Sequence, residues 1–129
     1  MPPMTLRASI QSLPVHLLDS IAQVSAEHAG AVVITGSHGG ASAAHYAQAV
    51  RAALYVFNDA GVGKDRAGIA ALELLDAQGI AAVTVAHDSA RIGDAHDSLA
   101  SGVVSHVNAT AGRLRLTSGL SLRQLLATE

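Results

Sequence analysis

The sequence predicts an α/β domain with a three-layer α/β/α arrangement, in which helices cover both faces of a small, mostly parallel sheet of three to four strands. Two observations predict this class. Short apolar runs recur at 31–35, 53–57 and 80–86, and each is followed by a polar turn and a segment with helical spacing. Strands that alternate with helices form βαβ units with right-handed crossovers, which place the strands in parallel.

Length and composition restrict the classes of function. The 129 residues, half of them hydrophobic and 14% charged, indicate one packed domain spanning 1–129. A formal net charge of -2 and an aromatic content of 2% argue against nucleic acid as a partner. The absence of Cys excludes disulfides and thiolate nucleophiles. Because the chain shows neither a signal peptide nor a long apolar run, we expect no membrane partner and a cytoplasmic location.

The first part of the chain is predicted to hold an edge element, a helix, a strand and a second helix. Apolar residues alternate at 4–11, which predicts a short edge strand or an arm on a partner subunit. Ser12 fits an N-cap position, and apolar residues then recur at helical spacing up to Gly30. A buried strand at 31–35 and an alanine-rich helix at 41–53 follow.

The same unit then repeats. A strand at 53–57 leads into a polar turn in which Asp65 fits the N-cap of a helix that ends at Gly79. A strand at 80–86 leads into a third polar turn, 87–94.

Residues 95–111 permit two interpretations. They form one helix, or they form a short helix followed by a fourth strand at 102–107. We expect the single helix, because Gly102 costs a helix interior only about 1 kcal/mol. The apolar residues on its predicted face are Leu99, Val103 and Val107.

The tail is predicted to contain a short strand at 114–116 and an end helix with Ser121 as its N-cap. Its leucines would form an exposed apolar face that needs a partner, and with the high apolar content this predicts a homo-oligomer. These leucines are Leu122, Leu125 and Leu126.

All three polar turns follow the carboxyl ends of predicted strands. Ligands of parallel α/β sheets bind beyond those ends, near a reversal of strand order. We therefore expect one pocket, surrounded by Ser37, His38, Asn58, Asp59, His87, Ser89 and Arg91.

The first turn is predicted to be a glycine-rich, anion-binding loop. Gly36, Gly39 and Gly40 would permit positive φ and let a ligand approach the backbone, and a helix N-terminus beyond them would favour an anion. The structural alternative is that a strand-to-helix turn needs glycine in any case. Ser37 beside His38 is a weaker candidate nucleophile, because the pattern G-x-S-x-G is not matched.

Asp59 is the stronger catalytic candidate, since it directly follows a buried strand and can act as a general base. The alternative is an Asx cap for the turn. Lys64 and Arg91 are candidates for holding a carboxylate or phosphate, and an ion pair of Arg91 with Asp88 or Asp94 is the competing interpretation. The catalytic candidates are therefore His38, Asp59 and Ser37, and the substrate-binding candidates are Gly39, Gly40, Asn58, Lys64, His87, Ser89 and Arg91.

Nucleotide and metal chemistry are disfavoured. A P-loop needs glycine where Asn58 stands and Ser or Thr where Asp65 stands. The best metal trio would be His38, Asp59 and His87, but no H-x-x-x-H pair supports it and no metal is assigned. His106 and Asn108 are expected to be structural or to lie at a subunit contact.

The alternation of strands and helices resembles the Rossmann-like and flavodoxin-like doubly wound domains, which implies a fold and no activity. The three aromatic residues lie in or beside predicted core elements and leave little to enclose a flavin ring, so the cofactor is unassigned. The turns favour a small cytosolic enzyme that acts on a small anionic metabolite, a carboxylate or phosphate, by the acid/base chemistry of an isomerase, lyase or hydrolase. The alternative is a non-catalytic ligand-sensing or regulatory subunit of a larger complex.

Overall fold

The computed structural model describes residues 10–126, which form an α/β fold around one five-stranded sheet. The first four strands are parallel and the fifth runs antiparallel to the fourth. The mostly parallel sheet is as predicted, but it has five strands instead of three to four. The strand order is sequential, without the reversal of a doubly wound sheet. The strands are β1 (Val15–Leu18), β2 (Val32–His38), β3 (Leu54–Asn58), β4 (Ala82–Val85) and β5 (Val104–Val107).

The helices are short. No helix within residues 10–126 has the length and apolar character required to cross a bilayer. Turns of 3₁₀ helix occur at Ile21–Gln23 and Ala26–His28, and a kinked 3₁₀ segment covers Lys64–Ile69. The α-helices are α1 (Ala41–Ala47), α2 (Ala70–Asp76), α3 (Ala95–Ser101), α4 (Ala109–Arg113) and α5 (Leu122–Leu126).

Helices cover both faces of the sheet. Side chains alternate along β2, so Val32 and Ile34 belong to one buried cluster and Val33 to the other. The first cluster includes residues of α3, α4 and α5, and the second includes residues of α1 and α2. The strands β2, β3 and β4 are mainly apolar on both faces because each face is covered.

The prediction of a helix from Ser12 to Gly30 is wrong. The segment contains β1, which pairs in parallel with β2, and the two short 3₁₀ turns. Its apolar residues are explained by their place in a strand that pairs with β2 and in a 3₁₀ turn that packs on the sheet. The strand predicted at 4–11 lies outside the described residues, except for its last two, which are helical.

Residues 95–111 do not form the expected single helix. Helix α3 ends before Gly102, and β5 then pairs with β4, so the alternative with a strand is right. A Cβ atom at Gly102 would lie 2.4 Å from the carbonyl oxygen of Ser98 and 2.8 Å from Val85 Cγ1. Glycine is therefore required at 102, because any Cβ there would clash with the end of α3 and with a side chain of β4.

The tail helix forms, but its leucines do not make an exposed face. The side chain of Ser121 accepts a hydrogen bond from the backbone N–H of Gln124, which confirms the predicted cap. Leu122 and Leu125 are completely buried in the same chain. No strand forms at 114–116, where Leu116 is buried as part of the core. The tail therefore gives no support to the predicted homo-oligomer.

Candidate functional site

The glycines predicted to form an anion-binding turn lie at the end of β2 and directly after it, and other parts of the chain pack against them. The expectation of positive φ at Gly36, Gly39 and Gly40 is wrong, because all three have negative or extended backbone angles. A Cβ at Gly36 would lie 2.3 Å from the backbone nitrogen of Asp94, and one at Gly39 would lie 2.8 Å from the carbonyl oxygen of Gly68. These glycines permit the close approach of protein backbone.

Ser37 and His38 belong to β2 instead of a turn. The Ser37 hydroxyl accepts a hydrogen bond of 2.9 Å from the backbone N–H of Ile21, which fixes the turn after β1. His38 is exposed at the end of the strand. Neither residue has a hydrogen bond or ion pair with Asp59 within residues 10–126.

The loop after β4 uses its polar side chains to hold its own shape. Arg91 is exposed, and its guanidinium lies 3.9 Å from the carboxylate of Asp94, which is the competing interpretation of this residue. The Ser89 hydroxyl donates to the carbonyl of Ala86 and accepts from the backbone N–H of Val103.

Asn58 is fully buried between two loops. Its side-chain oxygen accepts from the backbone N–H of Ala60, and its amide donates to the carbonyl of Ala90 at 3.0 Å. Both contacts are those of a buried structural amide. Lys64 is exposed in the kinked segment before α2.

Asp59 lies at the centre of a polar cluster beyond the carboxyl ends of β3 and β4. It is only 4% exposed, and its Oδ1 accepts hydrogen bonds from the backbone N–H groups of Gly61 at 2.8 Å and His87 at 3.0 Å. Two imidazole rings approach it: His87 Nδ1 lies 3.4 Å from Oδ1, and His106 Nδ1 lies 3.9 Å from Oδ2.

The carboxylate of Asp59 is ionised despite its burial. Burial is the largest single effect and raises the pKa, but hydrogen bonds from Gly61, from the Ser105 side chain and from His87, with the nearby His87 ring, together lower the pKa below its usual value. The cluster therefore contains a fixed negative charge at neutral pH.

A β-bulge places two consecutive residues of β5 beside this carboxylate. Val85 pairs with Val104 and Thr84 pairs with His106, so Ser105 is an extra residue in β5. The Ser105 hydroxyl lies 2.9 Å from Thr84 Oγ1 and 3.2 Å from His106 Nδ1. The bulge explains how neighbours in a strand can share one set of partners, and bulges are frequent beside active sites.

A cavity of about 540 Å³ opens beside the bulge. It lies between the kinked segment with α2 on one side and β5 with the start of α4 on the other. The lining side chains that carry a charge, an imidazole or a hydroxyl are Asp65, Arg66, Glu73, Asp76, Ser105, His106 and Ser118. None of the seven residues expected to surround one pocket lines this cavity, although Asp59 and His87 contact each other beside it.

The segment that connects β3 to this cavity has a strained backbone. All residues from 60 to 66 except Lys64 have positive φ, including the β-branched Val62 at 67° and Arg66 at 60°. Such conformations in residues other than glycine cost about 1–2 kcal/mol each and are frequent at functional sites.

The metal trio considered from the sequence does not assemble. Among residues 10–126, the group of three candidate ligands whose donor atoms lie within 4.8 Å of one another is Asp19, Asp94 and His96. It lacks His38, Asp59 and His87. Asp19 accepts from the backbone N–H of Ala95 and Asp94 caps α3, so both carboxylates also have structural partners.

Three residues of the cluster were not identified as site residues from the sequence: Thr84, Ser105 and His106. Thr84 lies inside an apolar run, and the other two lie in the segment that was expected to be helical. The alternative strand at 102–107 was the available signal, because a strand there can pair with β4. Asn108 is structural as expected, since its side chain makes four hydrogen bonds to backbone groups.

Comparisons with known protein families, with curated proteins and with solved structures find no match for this chain.

Proposed function

We propose that the protein is a cytoplasmic enzyme that transfers protons to and from a small molecule bound in the cavity beside His106. One observation supports the proposal most strongly. A buried, ionised carboxylate, Asp59, lies 3.9 Å from the Nδ1 atom of a histidine that lines the cavity. Ionised carboxylates beside imidazoles are a common means of preparing a histidine for acid/base catalysis.

The hydrogen-bond capacity of Ser105 supports a defined role for the histidine. A hydroxyl donates one hydrogen bond and accepts two. The one proton of Ser105 can go to the Asp59 carboxylate or to the carbonyl of Thr84, which lies 3.3 Å from the hydroxyl oxygen. In either case, the hydroxyl can accept from Thr84 Oγ1 and from His106 Nδ1–H. The proton of neutral His106 then resides on Nδ1, and Nε2 on the other side of the ring has a free lone pair. Nε2 is the atom proposed to exchange protons with the substrate, and Asp59, Ser105 and Thr84 are positioning residues.

His106 is preferred to the other histidines. His87 also approaches Asp59, but its side chain is 59% exposed and does not line the cavity. His38 has no contact with the carboxylate among the described residues, so neither it nor Ser37 is used. Isomerases, lyases and hydrolases all need a group that accepts and returns a proton, so the proposal retains these three classes.

A ligand-sensing or regulatory subunit is the competing proposal, because a cavity with a charged lining can bind a ligand without chemistry. The two differ in what His106 must do. A sensor needs the shape and charge of the cavity, whereas an enzyme needs a basic Nε2.

The first experiment measures the tautomer of His106 by ¹⁵N NMR at neutral pH. We expect Nδ1–H in the wild type, and loss of that preference in Ser105→Ala. An Nε2–H tautomer in the wild type would contradict the proposal.

The second experiment measures turnover with a panel of small carboxylates and phosphates that covers ester hydrolysis, dehydration and keto–enol isomerisation. His106→Gln should reduce any activity about 100-fold or more, which is typical for loss of a general base. The matched control is His45→Gln, at an exposed position of α1. Turnover that survives His106→Gln would refute the assignment, and ligand binding without turnover would favour the subunit.

A further inference from the structure

We propose that Arg66 binds a carboxylate or a single phosphate group of the substrate. This inference rests on the proposed function, because Arg66 lines the same cavity as His106. It assigns the predicted anion to a residue that the sequence did not single out for this role. Arg91 and Lys64, the expected anion-binding residues, do not line the cavity.

The guanidinium of Arg66 is available for a ligand. Three carboxylates line the same cavity, yet within residues 10–126 none of them lies within 4.0 Å of Arg66. The carboxylate of Asp76 is already held by the backbone N–H and the hydroxyl of Thr110, at 2.7 and 2.8 Å. Arg66 is also the one Lys or Arg among the described residues that line the cavity.

The backbone holds Arg66 in a conformation that arginine does not favour. Its φ and ψ are 60° and 31°, and Asp65 before it has a similar left-handed conformation. The surrounding contacts impose this geometry. The N–H of Gly68 donates to the carbonyl of Val62 at 2.7 Å, and a Cβ at Gly68 would lie 2.0 Å from the carbonyl oxygen of Asp59.

The strained conformation places Arg66 at the cavity. A glycine at 66 would adopt the same backbone without penalty, so the turn itself does not require an arginine. A guanidinium presents paired N–H donors that match the two oxygens of a carboxylate or phosphate. The neighbouring carboxylates of Asp65 and Glu73 would repel a polyphosphate, which restricts the ligand to one anionic group.

The test compares two arginines that share this backbone conformation. Arg115 has a φ of 70°, is exposed and does not line the cavity. Arg66→Gly and Arg115→Gly should both raise the melting temperature by a few degrees, because each relieves the same backbone penalty. Only Arg66→Gly should weaken the binding of acetate or inorganic phosphate, measured by calorimetric titration, by about 10-fold or more.

Separate titrations with acetate and phosphate distinguish the two anion classes. Arg66→Gln retains a polar side chain, shorter than arginine and without the charge, so it should also weaken binding and replaces the glycine variant if that variant fails to fold. Binding to Arg66→Gly and Arg66→Gln that equals wild-type binding would overturn the inference, as would the failure of both ions to bind the wild type.

The anion titrations test Arg66 independently of the proposed acid/base function of His106. Anion binding should persist in His106→Gln, because Arg66 and the cavity remain. If Arg66 proves irrelevant while the Nδ1–H tautomer of His106 is found, only this inference fails. If anion binding depends on Arg66 but His106 has the other tautomer, only the acid/base proposal fails.

Discussion

Replacing Asp59 with Asn removes the buried charge while retaining the shape of the side chain. Asn can still accept hydrogen bonds from the N–H groups of Gly61 and His87, but these bonds lose the assistance of a charge. Its NH₂ group stands in place of the second carboxylate oxygen and cannot accept a hydrogen bond, so the bond from Ser105 is lost. Hydrogen bonds to charged groups contribute about 1.5–3 kcal/mol and neutral ones about 0.5–1.5. A loss of about 1 kcal/mol for each of three bonds, partly offset because the neutral amide avoids the desolvation cost of a buried charge, predicts that the variant is less stable by about 1–2 kcal/mol at pH 7.

The pH dependence gives this prediction a sign. The pKa of Asp59 is lower in the folded protein than its ordinary value of 3.8, so the folded carboxylate retains its charge where the unfolded one begins to bind a proton. The resulting stabilisation is complete above about pH 5 and decreases as the pH falls through the unfolded pKa towards the lower folded pKa. Asn has no such titration, so the difference between wild type and variant should be smaller at pH 3 than at pH 7.

Urea unfolding at the two pH values measures both effects. Asp88→Asn is the control, because Asp88 is exposed and its replacement removes the same charge from the position next to His87. It should change the free energy of unfolding by less than about 0.5 kcal/mol. An Asp59→Asn variant as stable as the wild type at pH 7, or a loss of stability that is equal at both pH values, would refute the argument that the ionised carboxylate organises this cluster.

Three further predictions concern the fold. Gly68→Ala should destabilise the protein by about 3 kcal/mol or more, since its Cβ would lie 2.0 Å from the carbonyl oxygen of Asp59, whereas Gly112→Ala, with no atom within 4 Å, should be neutral or stabilising in chemical denaturation. Burial raises the pKa of Tyr55 to about 12. The contribution of Tyr55 to stability should therefore be constant below pH 10 and decrease between pH 10 and 12, and Tyr55→Phe should lose that decrease in circular-dichroism melts. The homo-oligomer remains a proposal that light scattering at micromolar concentration tests, and a mass of 13.0 kDa would contradict it.

The buried strands could be predicted because their signal is local. The apolar runs that became β2, β3 and β4 are covered on both faces, and such strands are continuously hydrophobic wherever they pair. The edge strands could not be predicted in this way. Each pairs on one side only, and the spacing of their apolar residues fits a helix as well as a strand. Both segments form strands because they pair with a neighbour in the sheet: β1 pairs with β2, and β5 pairs with β4.

The candidate site was predictable only where the order of the strands alone brings residues together. Asp59 and His87 follow neighbouring parallel strands, and their proximity follows from that topology. The glycines at the end of β2 were predicted to contact a ligand. The sequence alone does not show whether a glycine makes room for a bound anion or for another segment of backbone. Gly36 packs on the backbone of Gly93 and Asp94, a contact between residues more than fifty positions apart that no local pattern contains.

The bulge in β5 explains why the proposed proton carrier was not recognised. In a regular strand, consecutive side chains point to opposite faces, so Ser105 and His106 would not share a hydrogen bond. The extra residue breaks this alternation and brings both side chains to Thr84, beside the carboxylate of Asp59. A bulge has no period that a sequence pattern can reveal, because it is a mismatch between two strands and not a property of one. The chemistry proposed for His106 therefore depends on the register between β4 and β5.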